Sequence, residues 1–188
     1  MGTKRVGLAR TEALIENLKR NLSLSSTTLS NVGATTFAST VHGNRRKVKN
    51  ITAATSIVAA DSGKLFVFND ADGAIITLPD SGAGSIVGVY YDFYINVTAT
   101  SNAHKVICTD TTNEKLFGML RNTDTDSSDA AVNFAALTGD GFDFIACNGG
   151  TTGIQGSSFR LTCVAADTWK AEGDILSTGS PATSFGST

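Results

Sequence analysis

From residue 51 onward apolar and polar positions alternate in short runs separated by turn signals, the period expected of half-buried β-strands. Lys64-Leu65-Phe66-Val67-Phe68 and Ala74-Ile75-Ile76-Thr77-Leu78 flank Asn69-Asp70-Ala71-Asp72-Gly73, which predicts a hairpin. Pro79 ends that pairing, and Asp80-Ser81-Gly82-Ala83-Gly84 reads as a loop. Ile86 to Thr98 forms a long strand candidate, with Tyr91, Phe93, Ile95 and Val97 pointing inward and Tyr90, Asp92, Tyr94 and Asn96 outward. Further strands are expected at 105–109, 115–120, 131–137, 142–147, 157–164 and 167–171. Gly139-Asp140-Gly141 is a turn, and Asn148 to Gly156 a glycine-rich loop. This texture predicts an all-β domain over 51–178, an antiparallel β-sandwich or a jelly-roll-like fold, with a flexible tail at 179–188.

Before residue 51 the pattern changes. Leu14, Ile15, Leu18 and Leu22 recur at helical spacing behind the capping residue Thr11, which predicts one short helix over about 11–22. Glu12 and Glu16 near its start and Lys19 and Arg20 near its end match the helix dipole. A helix this short needs a surface for its leucine stripe. Ten of the eighteen residues from 23 to 40 are Ser or Thr and read as a linker. Residues 1–50 are thus expected to form an extended N-terminal arm.

Composition supports this division. The 188 residues are 41% hydrophobic and 17% charged, too apolar for a disordered chain, and no stretch suits a membrane span. The formal net charge of −2 conceals a partition. Residues 1–50 carry +7, from Lys4, Arg5, Arg10, Lys19, Arg20, Arg45, Arg46, Lys47 and Lys49 against two glutamates, while residues 51–188 carry −9. The arm should therefore seek acidic surfaces: a nucleic acid, an acidic protein wall or the body of a neighbouring copy. Arg45-Arg46-Lys47-Val48-Lys49 could also grip phosphates, but no aromatics interleave with it and the remaining −9 would repel a polyanion. No nucleic acid partner and no membrane partner are expected.

The sequence carries no reaction motif. The three cysteines form no CxxC and lie in apolar runs, which predicts reduced, buried thiols in a protein made in a cytosol. No apolar run of signal-peptide length follows the basic start. Asp124-Thr125-Asp126-Ser127-Ser128-Asp129 opens like a calcium loop but has no glycine at its sixth position and Ala135 at its twelfth. His42 and His104 have no metal-ligand spacing. Gly82-Ala83-Gly84-Ser85-Ile86-Val87-Gly88 departs from the dinucleotide fingerprint, and no GxSxG occurs. Neither catalytic residues, a metal nor a cofactor is expected; the chain reads as a non-enzymatic protein.

Met1-Gly2-Thr3-Lys4-Arg5-Val6-Gly7-Leu8-Ala9-Arg10, running into Glu12-Ala13-Leu14-Ile15-Glu16-Asn17-Leu18-Lys19-Arg20, resembles the start of virion structural proteins of marine tailed bacteriophages. Ile51-Thr52-Ala53-Ala54 through Ala60-Asp61-Ser62-Gly63-Lys64, then Ile75-Ile76-Thr77-Leu78-Pro79, is similar to a module of phage capsid-associated and fibre proteins. Phe159-Arg160-Leu161-Thr162-Cys163-Val164 with Trp169 and Gly173 fits its closing strands. The resemblance implies a β-rich particle component, often a capsid decoration (cement) protein, and here the expectation is decoration of the outer capsid surface of the virion after synthesis in the host cytoplasm. The expected partners are the major capsid protein and further copies of the chain, in a homo-oligomer such as a homotrimer. The expected capsid-binding arm comprises Lys4, Arg5, Arg10, Leu14, Ile15, Leu18, Leu22, Arg45, Arg46 and Lys47. A neck, tail or head-fibre module that binds a receptor or glycan is the alternative.

Overall fold

The computed structural model describes residues 45–126 and 131–188. The helix expected at 11–22, the linker and the arm residues before Arg45 lie outside the described residues. The described chain is almost entirely strand and turn, so the all-β class stands. In chain order the strands are β1 (Val48–Ile51), β2 (Thr55–Ser56), β3 (Leu65–Phe68), β4 (Ile75–Thr77), β5 (Tyr90–Ile95) and β6 (His104–Ile107). There follow β7 (Lys115–Asp124), β8 (Val132–Ala136), β9 (Phe144–Cys147), β10 (Ser158–Ala165), β11 (Thr168–Ser177) and β12 (Phe185–Gly186).

Seven strands form one sheet in the order β1-β3-β5-β10-β11-β7-β8, and five form a second in the order β12-β9-β6-β4-β2. Both are mixed. The expectation of antiparallel pairing is corrected, because β1 with β3, β3 with β5, β7 with β11, β2 with β4 and β4 with β6 all run parallel. From β1 to β6 the chain steps alternately between sheets, and each return lays a strand parallel to its predecessor.

The expected hairpin of 64–68 with 74–78 is corrected for the same reason. β3 lies in the larger sheet and β4 in the smaller, so Asn69 to Gly73 carries the chain across the core rather than back along one sheet. The turn chemistry itself is as read: the Asp70 carboxylate accepts from the Asp72 amide at 3.0 Å, and Gly73 adopts a φ of 86°. What turns it outward is the next crossing. The Thr100 amide donates to the Ala71 carbonyl at 2.8 Å and the Asn102 amide to that of Asp72 at 3.1 Å, so successive crossings stack.

The core draws on the inner faces of both sheets. Phe66, Phe93, Phe159, Gly173, Leu120 and Phe134 share one row across the larger sheet. The rings of Phe66 and Phe93 stack at 5.7 Å between centroids, and those of Phe93 and Phe159 at 5.0 Å. Gly173 makes this row possible, since a Cβ there would lie 2.5 Å from the Phe159 Cα. The smaller sheet answers with Ile76, Val106, Ile145 and Phe185 in one row. Each large side chain fully withdrawn from water contributes about 1.5–3 kcal/mol. Tyr91, Phe93 and Ile95 are fully buried, as their alternation with Tyr90, Asp92 and Tyr94 predicts.

Both expected domain borders shift. Residues 45–50 belong with the β-unit, which begins at Arg45, because β1 pairs with β3. Residues 179–188 are not a frayed tail. Phe185 is buried and pairs with Ile145, and the buried Asp143 carboxylate accepts from the Thr188 amide at 3.2 Å and hydroxyl at 2.9 Å. A short polar segment with one aromatic carries no periodicity, so its anchoring by a partner 45 positions away is invisible in sequence. The strand expected over 86–98 contracts to Tyr90–Ile95, because residues 84–89 turn.

Candidate functional site

Of the residues expected to contact a partner, Arg45, Arg46 and Lys47 are described, at the start of β1 on the free edge of the larger sheet. Arg45 and Lys47 are exposed. Arg46 is turned onto its own domain: its Nε donates to the Gly63 carbonyl at 2.8 Å, and its Nη2 reaches the Lys64 carbonyl and pairs with the Asp92 carboxylate. Arg46 therefore fastens β1 to β3 and β5, and a basic run read only as a docking surface has one member serving the fold. Lys4, Arg5, Arg10, Leu14, Ile15, Leu18 and Leu22 lie outside the described residues.

Asp92 receives a second guanidinium. Arg160 on the neighbouring β10 donates from Nε to Oδ1 at 2.7 Å and from Nη2 to Oδ2 at 2.9 Å, a bidentate pair set by the register Arg160 opposite Asp92. The Arg160 guanidinium also lies over the Tyr90 ring, 4.8 Å from its centroid. Tyr94, Ser158 and Glu172 continue this outer face around an open groove of about 400 Å³. Two arginines and the carboxylates of Asp92 and Glu172 thus line this groove beside an aromatic ring. Sequence alternation assigns Tyr90, Asp92 and Tyr94 to the outer face; only strand order brings Asp92, Arg160 and Arg46 together.

The most completely satisfied buried charge lies elsewhere. Glu114, fully buried, accepts from the Ser81 amide at 2.6 Å, the Ser81 hydroxyl at 2.5 Å, the Asp110 amide at 2.9 Å and Trp169 Nε1 at 3.4 Å. It joins the loop after β4, the loop before β7 and the start of β11. Asp110 next to it is held below the usual carboxylate range by hydrogen bonds from Asn113. These contacts engage both carboxylate oxygens and tie three segments together, so Glu114 acts as a structural anchor.

Cys108, Cys147 and Cys163 are all buried and unpaired, as their apolar runs predict. Burial raises each thiol, that of Cys147 to about 12, which keeps them protonated and unreactive at neutral pH. Among the described residues no three of His, Cys, Asp and Glu converge as a metal site.

His104 is a buried imidazole between the two sheets' crossings. Its Nε2 donates to the Val97 carbonyl at 2.8 Å and its Nδ1 accepts from the Ala74 amide at 3.3 Å, the pattern of a neutral ring, which also packs on Phe68 at 4.7 Å. Burial lowers its pKa below the usual 6.5. The folded state thus binds fewer protons than the unfolded one below that value. His104 contributes stability that is fully present above pH 6.5 and lost as pH falls toward the depressed folded pKa. The urea midpoint of the wild type should fall between pH 7.5 and 5.5 more steeply than that of His104→Gln; equal slopes would refute this assignment.

A scan against protein-family models, a search of curated proteins and a search of solved structures find no match to this chain.

Proposed function

We propose that this protein is a non-enzymatic virion structural protein that decorates and stabilises a phage capsid from outside, its N-terminal arm docked on the major capsid protein. The observation that carries this reading is the charge partition: +7 over residues 1–50 followed by −9 over the rest, with a leucine stripe inside the basic part. Apolar anchors ringed by cations suit an acidic protein surface, with the apolar stripe supplying affinity and the charges steering approach. The sandwich-like pair of sheets then faces outward and brings its own core. Arm contacts are assigned to Lys4, Arg5, Arg10, Leu14, Ile15, Leu18, Leu22, Arg45 and Lys47; Arg46 is excluded because Asp92 already holds it. Ordering an arm costs free energy on binding, so several arms presented by a homo-oligomer gain through avidity.

Co-sedimentation of the full chain with undecorated heads tests this. Wild type should pellet saturably in hundreds of copies per head, more weakly at high salt, which screens exposed charges. Leu18→Asp should lose at least about tenfold in affinity, since it sets a carboxylate where an apolar contact is made. Equal occupancy by the variant would remove the arm from the account, and no binding by wild type would remove decoration itself. A second reading, a receptor- or glycan-binding neck, tail or fibre module, is favoured by the groove of Tyr94, Asp92 and Arg160 on the outer face. It requires only a few copies per particle.

A further inference from the structure

The two sheets have four edges: β1 and β8 in the larger, β12 and β2 in the smaller. Three are protected in familiar ways. β2 and β12 are two residues long, and β1 is flanked and occupied by Arg46, Lys47 and Lys49. β8 differs. It is five residues long, and Ala131 through Gly139 contains neither a charge nor a proline. Val132 at 40% and Leu137 at 63% exposure stand along it, and Met119, opposite Ala135 on β7, is 52% exposed. Among the described residues no strand pairs with the outer side of β8, and an uncharged edge of this kind offers backbone donors and acceptors to another strand.

We infer that β8 is the seam of a two-fold dimer, pairing antiparallel with β8 of a second copy and joining the two larger sheets. Two features select a second copy as the occupant. The first is charge: a strand paired with itself sets its own residues against one another, so the edge must be neutral. β8 meets that condition, whereas β1 would oppose lysines to lysines. The second is size. With the two-fold axis at Phe134, Phe134 meets its symmetry mate, Val132 meets the partner's Ala136, Asn133 the partner's Ala135 and Leu137 the partner's Ala131. Each large side chain flanking the central pair then faces a small one, as an isologous interface requires. This inference is independent of the capsid reading.

Analytical ultracentrifugation of the full chain at high micromolar concentration should give twice the 19.5 kDa protomer mass. Ala135→Lys places two lysines at the seam without touching the core and should weaken dimerisation about tenfold, through two unfavourable cross-strand placements. Register is tested by co-producing Asn133→Cys and Ala135→Cys chains and treating them with a mild disulfide-forming oxidant. Positions facing across an antiparallel pair lie about 4.5–5.5 Å apart between Cα atoms, within disulfide reach. The mixture should yield a covalent heterodimer linked 133 to 135, and neither variant alone should do so comparably. The native thiols are buried and do not compete. A monomeric wild type, a dimer indifferent to Ala135→Lys, or a dimer with no 133–135 link each overturns the proposal; the last would also be the result if an N-terminal segment occupied this edge.

Discussion

Glu114→Ala should lower the thermal unfolding midpoint by about 10 °C, at roughly 2–4 °C per kcal/mol for a domain of this size. The substitution strands the Ser81 amide, the Asp110 amide and the Trp169 indole N–H inside the protein, where water does not replace the lost acceptor. Each unsatisfied buried donor costs about 1–3 kcal/mol, partly offset by relaxation of the two loops and rotation of the Ser81 hydroxyl, for a net loss of about 3–5 kcal/mol. Against a total stability of about 5–15 kcal/mol that is a large share. Glu114→Gln keeps a carbonyl oxygen for Ser81 and Trp169 but turns an amino group toward the Asp110 N–H, so it should fall between the two. Trp169 is the only tryptophan and fully buried, so its fluorescence reports the transition directly. An alanine variant melting within two degrees of wild type would show that Glu114 is not the anchor described.

Gly118→Ala should lower the urea midpoint by an amount comparable to that of Glu114→Ala. Gly118 lies within β7 at a φ of 131°, where an L side chain is strained, and a Cβ there would sit 2.0 Å from the Ala171 carbonyl oxygen on β11. That oxygen belongs to the neighbouring backbone and cannot rotate away. The methyl must push β7 from β11 at the middle of their ten-residue parallel pairing. Backbone strain of about 1–2 kcal/mol adds to overpacking of about 1–3 kcal/mol, together about 2–5 kcal/mol. Gly139→Ala isolates the first contribution. Gly139 also has a positive φ, 100°, but lies in an exposed turn with nothing within 4 Å of its would-be Cβ. It should shift the urea midpoint only slightly, and similar midpoints for the two variants would refute the steric argument.

The alternation of Tyr91, Phe93 and Ile95 with Tyr90, Asp92 and Tyr94 assigned each side chain to its face correctly, because the faces of a strand follow from a period of two whatever its neighbours are. The cysteines were legible on similar grounds. The Glu114 anchor was not, since a carboxylate in Thr111-Thr112-Asn113-Glu114 reads as a solvated loop until Ser81 and Trp169 are brought to it. Nor was the Arg46-Asp92-Arg160 cluster, whose members are 46 and 68 positions apart.

The sequence by itself determined the all-β class, the inward and outward faces of the main strands, the buried thiols and the charge partition, all properties of local spacing and composition. Only the tertiary structure decided which strands pair and in which direction. Asn69 to Gly73 has the chemistry of a turn whether it closes a hairpin or crosses a core, and both arrangements bury Phe66, Phe68, Ile76 and Leu78. The choice rests on the crossing at 96–103 that stacks upon it, on Gly173 and Gly118 admitting close neighbours, and on Asp143 holding the chain's last residues. These are contacts between distant segments, and no local pattern encodes them.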